Sequence, residues 1–287
     1  MSGAAVYLWE NVTERSGSMK FDMHCHTKEG SMDGKVIIEE YIRRLKEQGF
    51  GGMLVSDHNS YDGYREWKKS IKGKQHQDFV VLKGVEYDTR DCGHILVIMP
   101  EGVKLWILEM RGLPVARLIR IVHFYGGILG PAHPFGEKYM SAMTTQERKE
   151  KYARKLGALI EQFDFIEIFN ACEKKEVNDK AYELAQEYKK PGFGGSDAHK
   201  SDCIGKAYTE LPDSIRSESD LIAYIKTNPR IECGGSFYER TTKDRLGRIN
   251  AVLVESFYVY NKMGNALRSR KRKRELKVIF DRRKGLH

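Results

Sequence analysis

Phe165-Ile166-Glu167-Ile168-Phe169-Asn170 and Phe193-Gly194-Gly195-Ser196-Asp197-Ala198-His199 bracket the part of the chain that decides the fold class. Phe165 to Phe169 reads as a strand, Glu173 to Tyr188 as a helix, and Phe193 to Gly195 as a second short strand. A strand, a helix and a strand in that order imply a βαβ unit. Working outward, the same alternation recurs. Strands are expected at Lys20 to His24, Gly52 to Val55, Phe79 to Val85, Ile95 to Met99, Ile128 to Pro131 and Arg230 to Cys233. Helices are expected at Val36 to Gln48, Tyr61 to Ile71, Pro114 to Tyr125, Thr145 to Gln162 and Ser219 to Thr227. Pro114 is a favoured first-turn residue, and Gly126-Gly127 ends its helix. The pattern predicts an α/β protein with a largely parallel sheet. About seven repeats suit a closed barrel better than a doubly wound sheet. Neither Gly-x-Gly-x-x-Gly nor a Walker-type loop occurs, so a nucleotide-binding open sheet has no direct support.

Composition is that of a globular protein: 287 residues, 40% hydrophobic and 31% charged. No apolar run approaches the roughly 18–20 residues that cross a bilayer, and Met1 to Ser18 lacks the features of a secretory signal. Cys25, Cys92, Cys172, Cys203 and Cys233 are scattered and form no CxxC pair, which favours a reducing cytoplasm over a disulfide framework. The net charge is +9, and its location matters. Arg268 to Lys284 holds ten basic residues against Glu275 and Asp281, so this segment supplies +8 of the total. Such a tail could bind a polyanion by counterion release, or it could be the solvated face of a terminal helix.

The chemistry gathers at strand ends. His24 and His26 stand at i and i+2 in Asp22-Met23-His24-Cys25-His26, so both imidazoles point to one face of a strand and can grip one metal. Ser56-Asp57-His58-Asn59 follows the next strand, Glu86 ends the third, and His94 opens the fourth after a short turn. His133 lies in Gly130-Pro131-Ala132-His133-Pro134, and Asp197 and His199 follow Phe193 to Gly195. Six strand ends supplying His, Asp or Glu are poorly explained as accident, because buried unpaired charge is costly without a metal. His94 fits only if its strand returns by a tight hairpin to the same rim. Asp57 is expected to cap a helix or support a ligand instead of ligating. His123, His76 and His287 fall in a helix, a polar loop and the tail, and carry no such signal.

His24-Cys25-His26-Thr27, Ser56-Asp57-His58, Gly84-Val85-Glu86, His94-Ile95-Leu96, Ala132-His133-Pro134 and Gly195-Ser196-Asp197-Ala198-His199 resemble, in order and spacing, the motifs of the polymerase-and-histidinol-phosphatase (PHP) family. The resemblance runs from about Lys20 to Cys233. It suggests a polar N-terminal extension at 1–18, a metallo-phosphoesterase domain at 19–234 and a basic helical extension at 235–287. It implies a distorted (β/α)7 TIM-like barrel with a metal cluster at the C-terminal strand ends. By position, His24, His26, Glu86 and Asp197 would hold a first metal, and Glu86 would bridge to a second completed by His94 and His133. His58 and His199 would hold a third, with Asp33 in Ser31-Met32-Asp33-Gly34 the nearest match to a further ligand. Glu167 and Asn170 would shape the site without ligating.

The resemblance therefore implies two or three divalent ions, and the mixed nitrogen and oxygen ligands suit Zn, Mn or Fe. The expected reaction is phosphoester hydrolysis by a metal-bridging hydroxide, on a small phosphomonoester or a nucleotide, with Asp197 or His199 carrying protons. Lys200, Lys83 and Arg90 stand near motif residues and could contact phosphate, although exposed surface cations explain them more simply. Two other functions are open. One is a nuclease or DNA-repair phosphoesterase gripping nucleic acid through the basic tail, and the other is a non-catalytic metal-binding regulatory module.

Overall fold

Apolar spacing sets the first helix: Ile38, Tyr41, Ile42 and Leu45 recur at helical intervals and all four are buried in α1 (Ile38–Glu47). The helix stops at Gln48, and Gly49 follows with φ +79°, the left-handed conformation glycine adopts without a Cβ clash. The computed structural model describes residues 4–7, 17–71, 76–136, 141–143, 158–227 and 230–238, together with positions 263, 267, 270 and 274. Most of the helix expected at Thr145 to Gln162, and nearly all of the basic C-terminal extension, lie outside the described residues.

In chain order the remaining elements are β1 (Ala4–Tyr7), β2 (Ser18–Cys25), β3 (Phe50–Val55), α2 (Asp62–Glu66, continued by a π turn at Trp67–Ile71), β4 (Val80–Asp88) and β5 (His94–Ile98). Then come a 3-10 turn (Trp106–Glu109), α3 (Val115–Phe124), β6 (Ile128–Pro131), β7 (Ile166–Asn170), α4 (Lys175–Glu187) and β8 (Gly192–Gly195). The last are β9 (Ala207–Pro212), α5 (Glu218–Thr227) and β10 (Cys233–Ser236). An eight-stranded sheet runs β1-β10-β9-β2-β3-β4-β5-β6, and β7 and β8 pair separately.

This arrangement corrects two expectations. The β2–β3, β3–β4 and β7–β8 pairs are parallel, but β4–β5, β5–β6, β2–β9, β9–β10 and β1–β10 are antiparallel. A largely parallel sheet is therefore replaced by a mixed one. The turn at 89–93 is too short for a crossover and folds β5 back on β4, with Gly93 at φ +67°. The ladders also do not close into a TIM-like barrel. β7 and β8 lie alongside the large sheet and are joined to it by scattered bonds. Asp164 N donates to Leu129 O (2.9 Å), Asp197 N donates to His24 O (2.9 Å), and Thr209 Oγ1 is within hydrogen-bond reach of both Gly194 N (2.7 Å) and Gly194 O (2.9 Å). The N-terminal stretch, read as a polar extension, contributes β1, whose Tyr7 joins the core beside Phe169.

Candidate metal centre

Strand alternation delivers the ligand set. His24 and His26 leave β2 on one face, both fully buried, with their Nε2 atoms 3.0 Å apart. On β4 the same period of two aligns Glu86 with Asp88, and across the hairpin Asp88 faces His94 directly. The hairpin thus returns His94 to the rim as its position required. His58 follows β3, His133 follows β6, and Asp197 and His199 follow β8. Gly195 lets β8 approach β2: a Cβ there would stand 2.3 Å from Cβ of His24. Asn59, His133 and Asp197 have positive φ (47°, 29° and 49°), a conformation that costs about 1–3 kcal/mol each and is held by surrounding structure.

Glu86 is the hub. Its Oε1 lies 2.8 Å from His94 Nδ1 and 3.1 Å from His133 Nε2, and its Oε2 lies 3.0 Å from His58 Nδ1, 3.2 Å from His26 Nε2 and 3.4 Å from His24 Nε2. Asp197 Oδ1 stands 3.3 Å from His26 Nε2 and 3.5 Å from His199 Nδ1. Four ligand groups emerge, each with donor atoms mutually within 4.8 Å: His24, His26 and Asp197; Glu86, His94 and His133; His58, Asp88 and His94; and His26, His58 and His199. Asp33 flanks the last, with Oδ2 3.4 Å from His199 Nε2 and 3.7 Å from His58 Nε2.

Divalent cations fit these residues. Glu86 Oε2, Asp88 Oδ1, His58 Nδ1 and His94 Nδ1 are buried without a hydrogen-bond partner, although complementary groups approach them closely. Leaving such atoms unsatisfied costs about 1–3 kcal/mol each, more when charged, and a shared cation removes the cost. Without one, the groups lean on each other. Burial would raise the Glu86 carboxyl, yet His94, His58 and His24 hold it well below the usual range. Burial pushes His58 down to about 4, which keeps the ring neutral with one nitrogen lone pair open to a ligand. Burial opposes protonation of His94 as well, but Glu86 and Asp88 bring it up to about 10.

A supporting layer orients the imidazoles. Glu167 on β7 places Oε1 2.8 Å from His24 Nδ1 and accepts a 2.5 Å bond from His133 N through Oε2. Asn170 donates from Nδ2 to Glu167 Oε2 and to Asp197 Oδ2, each at 3.3 Å. Ser31 Oγ lies 3.1 Å from His26 Nδ1, and Ser141 Oγ lies 3.1 Å from His133 Nδ1. Such contacts fix tautomer and ring direction. Asp57 caps no helix, which corrects one of its two expected roles. Wedged against Gly30 and Gly63, it accepts bonds from Thr27 N (2.7 Å), Thr27 Oγ1 (2.8 Å) and Ser31 Oγ (2.9 Å), clamping the loop after His26.

Every candidate ligand named from the sequence lies at this centre or, for Asp33, on its edge. Asp88 was missed, although its signal was present: it stands two residues beyond Glu86, hence on the same strand face. Arg111 was missed too, its Nε 3.7 Å from Asp88 Oδ2. Lys83 is no phosphate contact, because its Nζ donates to Val103 O (2.8 Å).

Imidazoles and carboxylates converge at strand ends of a mixed α/β sheet, in clusters that could hold a metal ion. Residues 22–194 match the family model described as PHP domain, and residues 175–228 match one described as PHP-associated. The chain belongs to the PHP domain family. No curated protein matches it. Among solved structures, PsfC from Pseudomonas syringae PB-5123 aligns over 84% of this chain and 100% of its own, at 19% identity and TM-score 0.52. A protein from Bifidobacterium adolescentis, assigned as a metal-dependent phosphoesterase, covers 71% of this chain and 96% of its own at 16% identity and TM-score 0.52. Endonuclease Q, in complex with a 27-mer duplex carrying an abasic lesion, covers 74% of this chain and 58% of its own at 16% identity and TM-score 0.53. At these identities the likeness is one of fold.

Proposed function

We propose that this protein is a metal-dependent phosphoesterase acting on a phosphomonoester or nucleotide with two or three Zn, Mn or Fe ions. The observation that carries the reading is Glu86, a buried carboxylate within 3.4 Å of nitrogens from five histidines. His24, His26 and Asp197 would hold one ion. Glu86, His94 and His133 would hold a second, and His58 with His199 a third, with Asp88 and Asp33 at its flanks. When bound, such ions lower the pKa of water and neutralise charge developing on the phosphoryl oxygens. In the reaction a water oxygen bonds to phosphorus, the ester P–O bond breaks, and the departing oxygen takes a proton.

His199 is suited to proton delivery. Its side chain is 26% exposed, the most open of the histidines gathered around Glu86 and Asp197, and its Nδ1 lies 2.9 Å from Asp197 O. Proton transfer would fall to His199 where its Nε2 is not a ligand, or to Asp197 where its carboxylate is not. Glu167 and Asn170 hold His24 and Asp197 in place throughout.

The test is metal content by elemental analysis, with hydrolysis of an aryl phosphate measured with and without Mn or Zn. Two or more ions per chain, and activity abolished in His26→Ala, support the reading. A metal-free, inactive protein after reconstitution overturns it. The charge of Arg268 to Lys284 favours a second reading, a nuclease that grips nucleic acid through that segment. It predicts a steep loss of activity with salt and loss of binding when residues from Arg268 onward are removed. Among the described residues no helix is long and apolar enough to cross a membrane.

A further inference from the structure

α4 buries a polar residue where its stripe calls for an apolar one. Asn178 is 2% exposed and lines up with Ala181 and Ala185, three and seven residues on, which are also buried. Neither helix propensity nor core packing favours an asparagine there. Its carboxamide instead bonds both backbone groups of one residue on β7. Asn178 Oδ1 accepts from Asn170 N (2.9 Å), and Asn178 Nδ2 donates to Asn170 O (3.1 Å). A hydrogen-bonded residue in an antiparallel ladder makes the same pair of bonds, so this side chain stands in for a strand partner at the end of β7.

The residue held in this way faces the metal centre. Asn170 Oδ1 accepts from Cys172 N (2.9 Å), which turns Asn170 Nδ2 towards two carboxylates. Nδ2 donates to Glu167 Oε2 and Asp197 Oδ2, each at 3.3 Å. In both carboxylates the other oxygen faces the candidate ligands: Glu167 Oε1 meets His24 Nδ1 at 2.8 Å, and Asp197 Oδ1 lies 3.3 Å from His26 Nε2. Bonds of this length are near the limit for N–H···O, so even a small displacement of Asn170 breaks them.

Resting on the metal-binding part of the proposed function, we propose that Asn178 is a positioning residue for the metal centre. It pins the end of β7, and through Asn170 it sets the direction of the Glu167 and Asp197 carboxylates. It acts by orientation and not by ligation. A helix on the outside of the small sheet thereby reaches the ligands through two amides and two carboxylates in series.

The test compares the full chain with two variants of α4. Asn178→Leu keeps the bulk and removes both bonds to Asn170, whereas Ala181→Gly weakens the same helix at a residue with no side-chain hydrogen bond. Titration with Mn should give an affinity about tenfold lower in Asn178→Leu and unchanged in Ala181→Gly. Asn170→Ala/Asn178→Leu should lose no more than Asn170→Ala alone, because the second change then has nothing left to orient. Wild-type affinity in Asn178→Leu, an equal loss in Ala181→Gly, or additive losses in the double variant overturn the proposal. Should Asn178→Leu not fold, Asn178→Asp is judged by the same criteria, since it keeps the acceptor for Asn170 N and loses the donor to Asn170 O. If the wild type binds no ion, the metal reading fails separately, and the imidazole nitrogen NMR shifts of His24 decide the role of Asn178. A tautomer pattern altered by Asn178→Leu and kept by Ala181→Gly supports it. A pattern that both variants keep, or that both alter alike, overturns it.

Discussion

Glu167 Oε1 meets His24 Nδ1 at 2.8 Å across the seam between two sheets that share no ladder. A carboxylate on one sheet thereby fixes the tautomer of a candidate ligand on the other. Glu167→Gln keeps the shape and loses the charge that favours Nδ1–H. Metal affinity is expected to fall about 10–100-fold with the far-ultraviolet spectrum unchanged. Metal titration checks this, and undiminished affinity would remove Glu167 from the orienting role.

Asp88 supplies a second expectation. Its Oδ1 lies 3.2 Å from His94 Nε2 and 3.8 Å from His58 Nδ1, and it has no hydrogen-bond partner. Asp88→Asn should bind about one ion fewer per chain, because an amide oxygen is a poorer ligand for a hard cation. Elemental analysis after dialysis reads the count. An unchanged stoichiometry would place Asp88 outside the ligand set.

The start of α5 carries a pH-dependent stability signal outside the candidate ligand set. Glu218 is buried and accepts a 2.6 Å bond from Lys83 N, and burial raises its carboxyl above the ordinary 4.5 while Lys83 pulls it the other way. The folded chain therefore holds this proton more tightly than the unfolded one. Its contribution to stability is full below about pH 4.5 and is lost as pH rises through the folded-state pKa. Glu218→Gln preserves the acceptor and removes the titration. The melting temperature of the wild type should fall relative to the variant between about pH 4 and pH 7. Parallel curves would show that Glu218 titrates normally.

Thr209 is the hydroxyl between β8 and β9, placed to donate to Gly194 O and to accept from Gly194 N. Thr209→Val keeps the branched shape and leaves both buried backbone groups unsatisfied. A loss of about 1–3 kcal/mol in a denaturant titration is expected. A loss below that range would mean the seam is held elsewhere.

Sequence periodicity exposed the β7-α4-β8 unit, because Ile166, Ile168 and Phe193 are buried and Ala181, Leu184 and Ala185 make a helical stripe. It missed β9, where Ala207 to Pro212 alternates buried and half-exposed residues without an apolar run, and it misplaced β10, whose Cys-Gly-Gly-Ser holds almost no apolar signal. Strand direction was legible only where a connection was very short. The ligand histidines stood out because each sits at a strand end. Asp88 was hidden by a turn-like context, Asp88 to Gly93, in which a carboxylate is commonplace. Ser31 and Ser141 offered no cue, since only folding brings them beside His26 and His133.

The division into two sheets has a consequence for assembly. Glu167 and Asn170 of the small sheet, with Asp197 just past its end, share the centre with His24, Glu86 and His94 of the large one. Charged and polar groups thus stand where a continuous sheet would have backbone ladders. A cation bound at that junction would work as a rivet, its binding energy becoming cohesion between the two halves of the molecule. Ion supply would then govern how long the molecule keeps its shape as well as what it can catalyse.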